Sequence, residues 1–337
     1  MILSQHQNSL LPLIESHLER FIESQDFSHS QHLKQMIRYQ MGWEDQGLRG
    51  KRVRPFLVLL TARAFGGDIE KAMPAALSVE FLHNFTLIHD DIEDQSLVRH
   101  NRPTLWNRWG IAQAINAGDA LFSIAQLAML DLAKTCGASI AVQAAKRVNQ
   151  TCLHLTRGQL MDIAFETDDS ITPQAYLDMI AGKTGALLAL CAALGGLTAD
   201  QDAQKVKLLS EFGSSLGMAF QIRDDILGIW GDPVKTGKSV SSDLLTRKKT
   251  LPILFGLTQS QVFSNMWQME GLGEDQIRQM AALLEECGAR PFANQFAENY
   301  TNHAFEVLGN LFPQPAELNA EAKALFELSN ELLKREI

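Results

Sequence analysis

The sequence predicts an all-α protein. Apolar residues recur at three- and four-residue intervals through most of the chain, the spacing that lines one face of a helix. No segment keeps a period-2 alternation bounded by hairpin turns, so strand is expected to be nearly absent. Gly and Pro gather between the periodic stretches, at "FGGD", "GLTAD", "WGDPVKTGK" and "LGED", where they end helices.

Taken in order, "SLLPLIESHLERFI" predicts an amphipathic helix near the N-terminus. "MPAALSVEFLHNFTLIHDD" predicts one that runs from an apolar body into acids. "AGDALFSIAQLAMLDLAKTC" and "SIAVQAAKRVNQTCLHLTRGQLMDIAFE" continue the pattern, followed by "PQAYLDMIAGKTGALLALCAALGGL" and "KVKLLSEFGSSLGMAFQIRDDILGIW". Several of these are rich in Ala, Gly and Leu on more than one face, as in the central helices of a large bundle. No Ser/Pro linker or shift in composition divides the chain, so one domain over 1–337 is expected.

Composition narrows the function. The chain has 337 residues, 46% hydrophobic and 20% charged, an ordinary soluble composition. A net charge of −9 disfavours a general nucleic-acid surface. Any phosphate site must come from locally placed cations. Cys136, Cys152, Cys191 and Cys287 have no metal-binding spacing and read as buried thiols of a reducing compartment. The first twenty residues are too acidic and interrupted for a signal peptide. The most apolar window, "GALLALCAALGGL", falls short of a membrane span. A cytoplasmic protein is expected.

The chemistry concentrates in "NFTLIHDDIEDQSLVRHNRPT", residues 84–104. Asp90 and Asp94 stand at i and i+4, so their carboxylates share a helix face, a destabilising pair unless a cation compensates. "QIRDDIL", with Asp224 and Asp225, repeats the arrangement. Oxygen-only donors at this spacing suit Mg²⁺, which keeps waters and completes its shell with phosphate oxygens. They do not suit Zn²⁺. Cations come in islands: Lys51, Arg52 and Arg54 in "GKRVRP"; Arg99, His100 and Arg102 in "VRHNRPT"; Lys183 beside Thr184 in "AGKTGAL"; Lys238, Lys248 and Lys249 in "DPVKTGKSVSSDLLTRKKTLP". "GKT" lacks the strand and GxxxxGK frame of a P-loop, which is rejected. Two acidic clusters and four basic islands in an acidic chain describe a site for two diphosphates. One is bridged by Mg²⁺ and the other is held by Lys and Arg.

These motifs, in this order and spacing from about residue 45 onward, resemble the trans-isoprenyl diphosphate synthases of the geranylgeranyl and farnesyl type. The resemblance implies an isoprenoid-synthase-type helical bundle around a deep central cavity, and a homodimer. It implies a Mg²⁺-dependent, head-to-tail condensation of isopentenyl diphosphate with an allylic diphosphate, with three Mg²⁺ ions. Asp90, Asp94 and Asp224 match the metal ligands, with Asp225 acting through water. Lys51, Arg54 and His83 match the pocket for isopentenyl diphosphate. Arg99, Lys183, Lys238 and Lys248 match the surroundings of the allylic diphosphate, and Thr184 and Gln221 the dipoles beside the reacting carbon. Phe85 with the small Thr86 resembles the pattern of enzymes that stop at twenty carbons, so geranylgeranyl diphosphate is the expected product and farnesyl diphosphate the alternative. A terpene cyclase or a non-catalytic subunit are the competing readings. The retained "GKRVRP" and "KKTLP" argue against the first, and the intact metal ligands against the second.

Two positions depart from the pattern. The second acidic motif ends on Gly228 instead of Asp. In "RHN", His100 replaces a second arginine, a matched contact for isopentenyl diphosphate, and Asn101 replaces glycine; Arg102 is the candidate to compensate. His89 and His154 read as structural. Gln159 and Asp162 read as cavity-wall residues, and Trp106, Trp109 and Trp230 as core or interface aromatics.

Overall fold

A computed structural model describes residues 2–44, 50–231, 241–313 and 318–333. It is helical almost throughout. The chain divides into two compact units. One holds Met1–Gln150, Leu190–Ser210 and Phe312–Glu327; the other holds Thr151–Ala189, Glu211–Leu311 and Leu328–Ile337.

In the first unit, α1 (Ile2–Glu23) buries Leu3, Leu10, Ile14, Leu18 and Ile22, a stripe at three- and four-residue spacing. It tolerates Pro12 within its length. After α2 (Gln31–Gln40) comes α3 (Val53–Ala64), in which every residue from Pro55 to Ala62 is buried. A helix apolar all round belongs in an interior, and this one is not among the helices expected from the sequence. The next helix, α4 (Ile69–Glu93), is capped by Asp68, whose side chain accepts from the Glu70 amide, satisfying one of the orphan donors at a helix start. It packs along α3 and along α6 (Ile111–Leu130) and carries the first acidic motif at its C-terminal end.

Between α4 and the short α5 (Leu105–Trp109) lies the one strand pair among the described residues. β1 (Val98–Arg99) and β2 (Arg102–Pro103) are antiparallel, with Arg99 opposite Arg102. His100 and Asn101 form the turn with φ of 50° and 60°, the left-handed geometry of a tight two-residue hairpin loop. Strands of two residues cannot show an alternation, which is why the sequence did not announce them. Asn tolerates positive φ better than most residues, so Asn101 stands where glycine would otherwise be required.

Beyond α7 (Leu132–Thr135), the long α8 (Ala138–Thr167) leads into the second unit. Thr172 caps α9 (Pro173–Ile180), with proline in its first turn. The helix then widens into a π-turn over Ala181–Gly185 and resumes as α10 (Ala186–Thr198). From Pro173 to Thr198 this run is 26 residues with a mean hydropathy of 1.6. Its length and apolarity would suffice to cross a membrane, contrary to the shorter window read from sequence. The physical reason for the apolarity is packing, since 72% of its most apolar stretch is buried inside the protein. The following helix, α11 (Ala203–Trp230), ends in the second acidic motif. Tyr176, Ile180, Met218, Ile222 and Ile226 build the core beneath it. The expectation of four buried thiols holds only for Cys191. Cys136, Cys152 and Cys287 are half-buried, and all four are free.

The π-turn is held by a backbone-to-backbone approach to α8. A Cβ at Gly158 would stand 2.5 Å from the Lys183 amide nitrogen, and one at Gly182 would stand 2.8 Å from the His154 carbonyl oxygen. No rotamer change relieves a clash with backbone. Gly158→Ala is therefore expected to destabilise the protein by about 1–3 kcal/mol, as overpacking does. A clear fall in melting temperature, followed by circular dichroism, is the expected outcome.

Candidate active site

In the first unit, one cavity of about 170 Å³ gathers Lys51, Arg54, His83, Arg99, His100 and Arg102. Three separate stretches of sequence thus converge. The residue that shapes them is Arg52, which the sequence showed only as one more cation of a basic island. It is buried at the N-terminal boundary of α3 with φ of 48°. Its guanidinium donates to Glu15 Oε1 at 2.6 Å, to Glu80 Oε1 at 2.8 Å and to the Met41 carbonyl at 2.6 Å. Glu15 also accepts from the Trp43 indole at 2.9 Å. Arg52 is spent on internal partners, and its two neighbours in the motif, Lys51 and Arg54, line the cavity.

Arg54 is different. Its Nε is buried with no hydrogen-bond partner among the described residues. Burial pulls its guanidinium down from the usual arginine range, partly opposed by Glu80. A desolvated donor of this kind is costly to leave unmatched. His83 is held well below the ordinary histidine range, first by burial and then by the charges of Arg54, Arg99 and Arg52. It is a neutral imidazole at neutral pH. Partial desolvation, together with Arg99 and Arg102, also lowers His100, with Asp91 opposing.

At the end of α4, Asp90 and Asp94 lie one turn apart, the Asp94 amide donating to the Asp90 carbonyl at 2.8 Å. Asp91 between them is engaged within the protein. It is buried and accepts from Arg99 Nε at 2.8 Å, and burial raises its carboxyl against the pull of Arg99. Asp91 thus anchors Arg99, a role that spacing alone did not reveal. Arg102 donates to the Gln40 carbonyl at 3.0 Å and lies over the Tyr39 ring at 4.5 Å. It lines the same cavity as His100, so cationic charge is retained where the motif departs from its pattern. Phe85 packs between His89 and Phe122 of α6, with ring centroids 4.8 and 5.2 Å away. Thr86 turns its hydroxyl back to the His83 carbonyl at 2.8 Å.

The second unit holds the remaining residues. The π-turn presents Lys183 to Asp162 of α8 at 2.6 Å and Thr184 to Gln221 Oε1 of α11 at 2.8 Å. A π-turn inside a helix commonly marks a functional position. Gln221 donates in turn to Asp225 Oδ1 at 3.0 Å, and the Tyr176 hydroxyl donates to Asp225 Oδ2. Asp225 is thus buried and engaged, while Asp224 beside it is only half-buried. Lys248 remains exposed to solvent yet is crowded by protein. Desolvation pulls its ammonium down, but the carboxylates of Asp225, Asp162, Asp243 and Asp224 outweigh it and push the ammonium above the usual lysine range. Lys249 turns elsewhere, to the Asp168 carbonyl at 2.7 Å and Asp169 at 3.0 Å. Lys238 lies outside the described residues.

Asp90 and Asp94 in the first unit, and Asp224 in the second, each offer hard carboxylate oxygens, and among the described residues no three or more His, Cys, Asp or Glu form a ready-made cage. Such donors suit a cation that keeps its waters and takes further oxygens from a phosphate.

Comparison with known proteins gives the chain its context. Residues 30–285 match the polyprenyl synthetase family, a match that begins earlier than the motifs alone suggested. The chain is 37% identical over 309 residues to a geranylgeranyl diphosphate synthase of Mycobacterium tuberculosis, covering 88% of this chain and 86% of that protein. It is 36% identical over 294 residues to a (2E,6E)-farnesyl diphosphate synthase of Mycobacterium bovis, covering 83% and 81%. Among solved structures, a polyprenyl synthetase from Streptomyces coelicolor superposes with a TM-score of 0.86 at 32% identity, over 98% of both chains.

The cavity of the first unit makes a prediction about anions. The ordinary histidine value is 6.5 and His100 lies below it in the free protein, so an anion that binds beside it must draw in a proton. Pyrophosphate affinity is expected to weaken as pH rises from about 5.5 through neutrality, as the proton becomes scarce. His100→Arg carries a fixed charge and is expected to bind more tightly above neutrality and to show a flatter profile. Calorimetric titration of both proteins with pyrophosphate across pH checks this, because protonation of the anion itself is common to both. Identical profiles would make His100 a bystander.

Proposed function

The chain belongs to the polyprenyl synthetase family, and on that premise we propose that it is a Mg²⁺-dependent, chain-elongating trans-prenyltransferase with geranylgeranyl diphosphate as its main product. The observation that carries the reading is the first unit's cavity. In a chain of net charge −9, Lys51, Arg54, His83 and His100 line one small space, and Arg54 brings to it a buried Nε with no partner among the described residues. A small diphosphate-binding cradle set against the overall charge is what a homoallylic diphosphate such as isopentenyl diphosphate requires.

Mg²⁺, in three ions held through Asp90, Asp94 and Asp224, would supply neutralisation of the charge that develops on a departing diphosphate. The protein's own groups do the rest. Lys183, Lys248 and Lys238 from their motifs, with Arg99, offer donors to the allylic diphosphate. Lys183 and Arg99 are each already held by a carboxylate, Asp162 and Asp91, which fixes their direction before substrate arrives. The Thr184–Gln221 hydrogen bond fixes two side chains whose dipoles would steady positive charge on the reacting carbon. No protein base is needed for the final proton, since the released diphosphate is one. Asp225, bonded to Tyr176 and Gln221, keeps Gln221 in place.

Relatives that carry geranylgeranyl and farnesyl names are about equally similar to this chain, so product length rests on local residues. Phe85 and Phe122 meet across α4 and α6 at 5.2 Å. Phe85 lies about 7 Å deeper along α4 than Asp90, at ~1.5 Å rise per residue. An aromatic pair at that depth is a suitable floor for a twenty-carbon chain.

Incubation of the purified protein with isopentenyl diphosphate, each allylic diphosphate and Mg²⁺, with chromatography of the dephosphorylated products, is the primary test. Asp90→Ala and Asp224→Ala are each expected to lower turnover by at least ~10²–10³ while the helical spectrum persists. Wild-type rates in either would reduce the two motifs to acidic helix ends. In the same assay Phe85→Ala is expected to add one or more five-carbon units, and Thr86→Phe to shorten the product. An unchanged product distribution in Phe85→Ala would place the floor elsewhere.

A further inference from the structure

Tyr39, on α2, is 3% exposed and lines the same cavity as His100 and Arg102. Its hydroxyl donates to the Pro103 carbonyl at 2.7 Å. The Arg102 guanidinium lies 4.5 Å from its ring centroid, and that of Arg108 lies 4.6 Å away. Trp109 meets the ring edge-on, at 5.0 Å with 79° between the planes. Arg102, Pro103, Arg108 and Trp109 thus all dock on one side chain. A guanidinium over an aromatic ring is held by the ring's quadrupole as well as by packing, so β2 and α5 are tied to α2 at this point.

The hairpin that carries His100 is closed on itself by local bonds. The Thr104 amide donates to the Leu97 carbonyl at 3.0 Å, and the Thr104 hydroxyl to the Ser96 carbonyl at 2.7 Å. Such bonds fix the shape of the hairpin but not where its tip stands. Anchors to the neighbouring helices do that. On the β1 side, Arg99 is held by Asp91 of α4 at 2.8 Å. On the β2 side the anchor is Tyr39, helped by the adjacent Gln40 carbonyl, which accepts from Arg102 at 3.0 Å. His100 sits at the turn between the two anchors, exposed at the edge of the cavity.

We propose that Tyr39 is a positioning residue of this cavity, holding β2 so that His100 meets the diphosphate. The proposal rests on the prenyltransferase reading for the identity of that ligand. Tyr39 does not itself donate to the anion. A tyrosine hydroxyl has one proton to give, and the Pro103 carbonyl takes it. Its effect is on the hairpin, whose tip needs no ordering when the ligand arrives because the ring has already set it.

The test is calorimetric titration of the full-length protein with inorganic pyrophosphate at fixed pH. Tyr39→Phe keeps the ring and loses the bond to Pro103, and it is expected to weaken binding ~3–10-fold. Tyr39→Leu also loses the ring beneath the arginines and is expected to weaken it further, toward the ~10-fold or greater loss expected of His100→Ala. In the His100→Ala background either Tyr39 change is expected to add at most ~2-fold, because substitutions that act through one group do not add. Turnover is measured in parallel, where KM for isopentenyl diphosphate is expected to rise in Tyr39→Phe with kcat within ~2-fold of wild type. Wild-type affinity in both Tyr39 variants would overturn the proposal. Losses that add in full to that of His100→Ala would overturn it too, because Tyr39 would then act on the ligand directly or on the fold at large. Should Tyr39→Leu not fold, Tyr39→Phe decides alone. Absent turnover in wild type, with Tyr39 and His100 still coupled in pyrophosphate binding, supports the positioning role and overturns only the reaction.

Discussion

Arg52 is the residue on which the first unit's site depends. Its side chain is 4% exposed and is closed by Glu15 and Glu80, themselves 13% and 5% exposed. A buried ion triad is weak evidence for net stability, since desolvation consumes most of the attraction. Its value lies in what breaking it would do. Removing one partner leaves an uncompensated buried charge, at a cost of roughly 3–5 kcal/mol. That penalty fixes the N-terminal boundary of α3 in a left-handed conformation that a non-glycine residue avoids, and with it the position of Arg54. The N-terminal helix, through Glu15, is therefore part of the cavity's support although it contributes none of the cavity's lining residues.

Much of the site could be read from sequence, for a local reason. Asp90 with Asp94, and Asp224 with position 228, are related by helical spacing alone. Lys51 and Arg54 follow one another across a helix start, and the helices themselves follow from apolar periodicity. What the sequence hid are relations between distant elements. Lys183 meets Asp162 across 21 residues and Thr184 meets Gln221 across 37, and neither pair has a periodic signature. The π-turn that sets both appears in sequence only as two glycines and a lysine inside an apolar run. Arg52 read as one more cation of a basic island because nothing in "GKRVRP" says that Glu15 and Glu80 converge on it. Asp243 read as part of a basic island, although its carboxylate occupies the space beside Gly228.

The motif's departures also have local physical explanations. At the hairpin, His100 and Asn101 both take positive φ, and Asn is among the residues that bear this at least cost. The change from the pattern's glycine is therefore conservative in backbone terms. Its chemical consequence falls on His100, whose charge is conditional where an arginine's is permanent. Arg102 lines the same cavity but is committed to the Gln40 carbonyl and the Tyr39 ring, so it contributes field more readily than a directed contact.

The basic residues fall into two classes by what holds them. Arg99 and Lys183 are each paired with a carboxylate, at 2.8 and 2.6 Å, and Lys248 lies in the field of four. Arg54 has a buried Nε with no partner among the described residues, and His83 is kept neutral by burial and by the charges around it. A diphosphate arriving at the first class must share its cation with an existing carboxylate, which lowers net affinity but holds the donor in a fixed direction. One arriving at the second class satisfies a donor already desolvated, so little further desolvation opposes it. Under the proposed function, the first arrangement suits a ligand that leaves as diphosphate once its bond to carbon has broken. The second suits one that is held throughout while its double bond attacks.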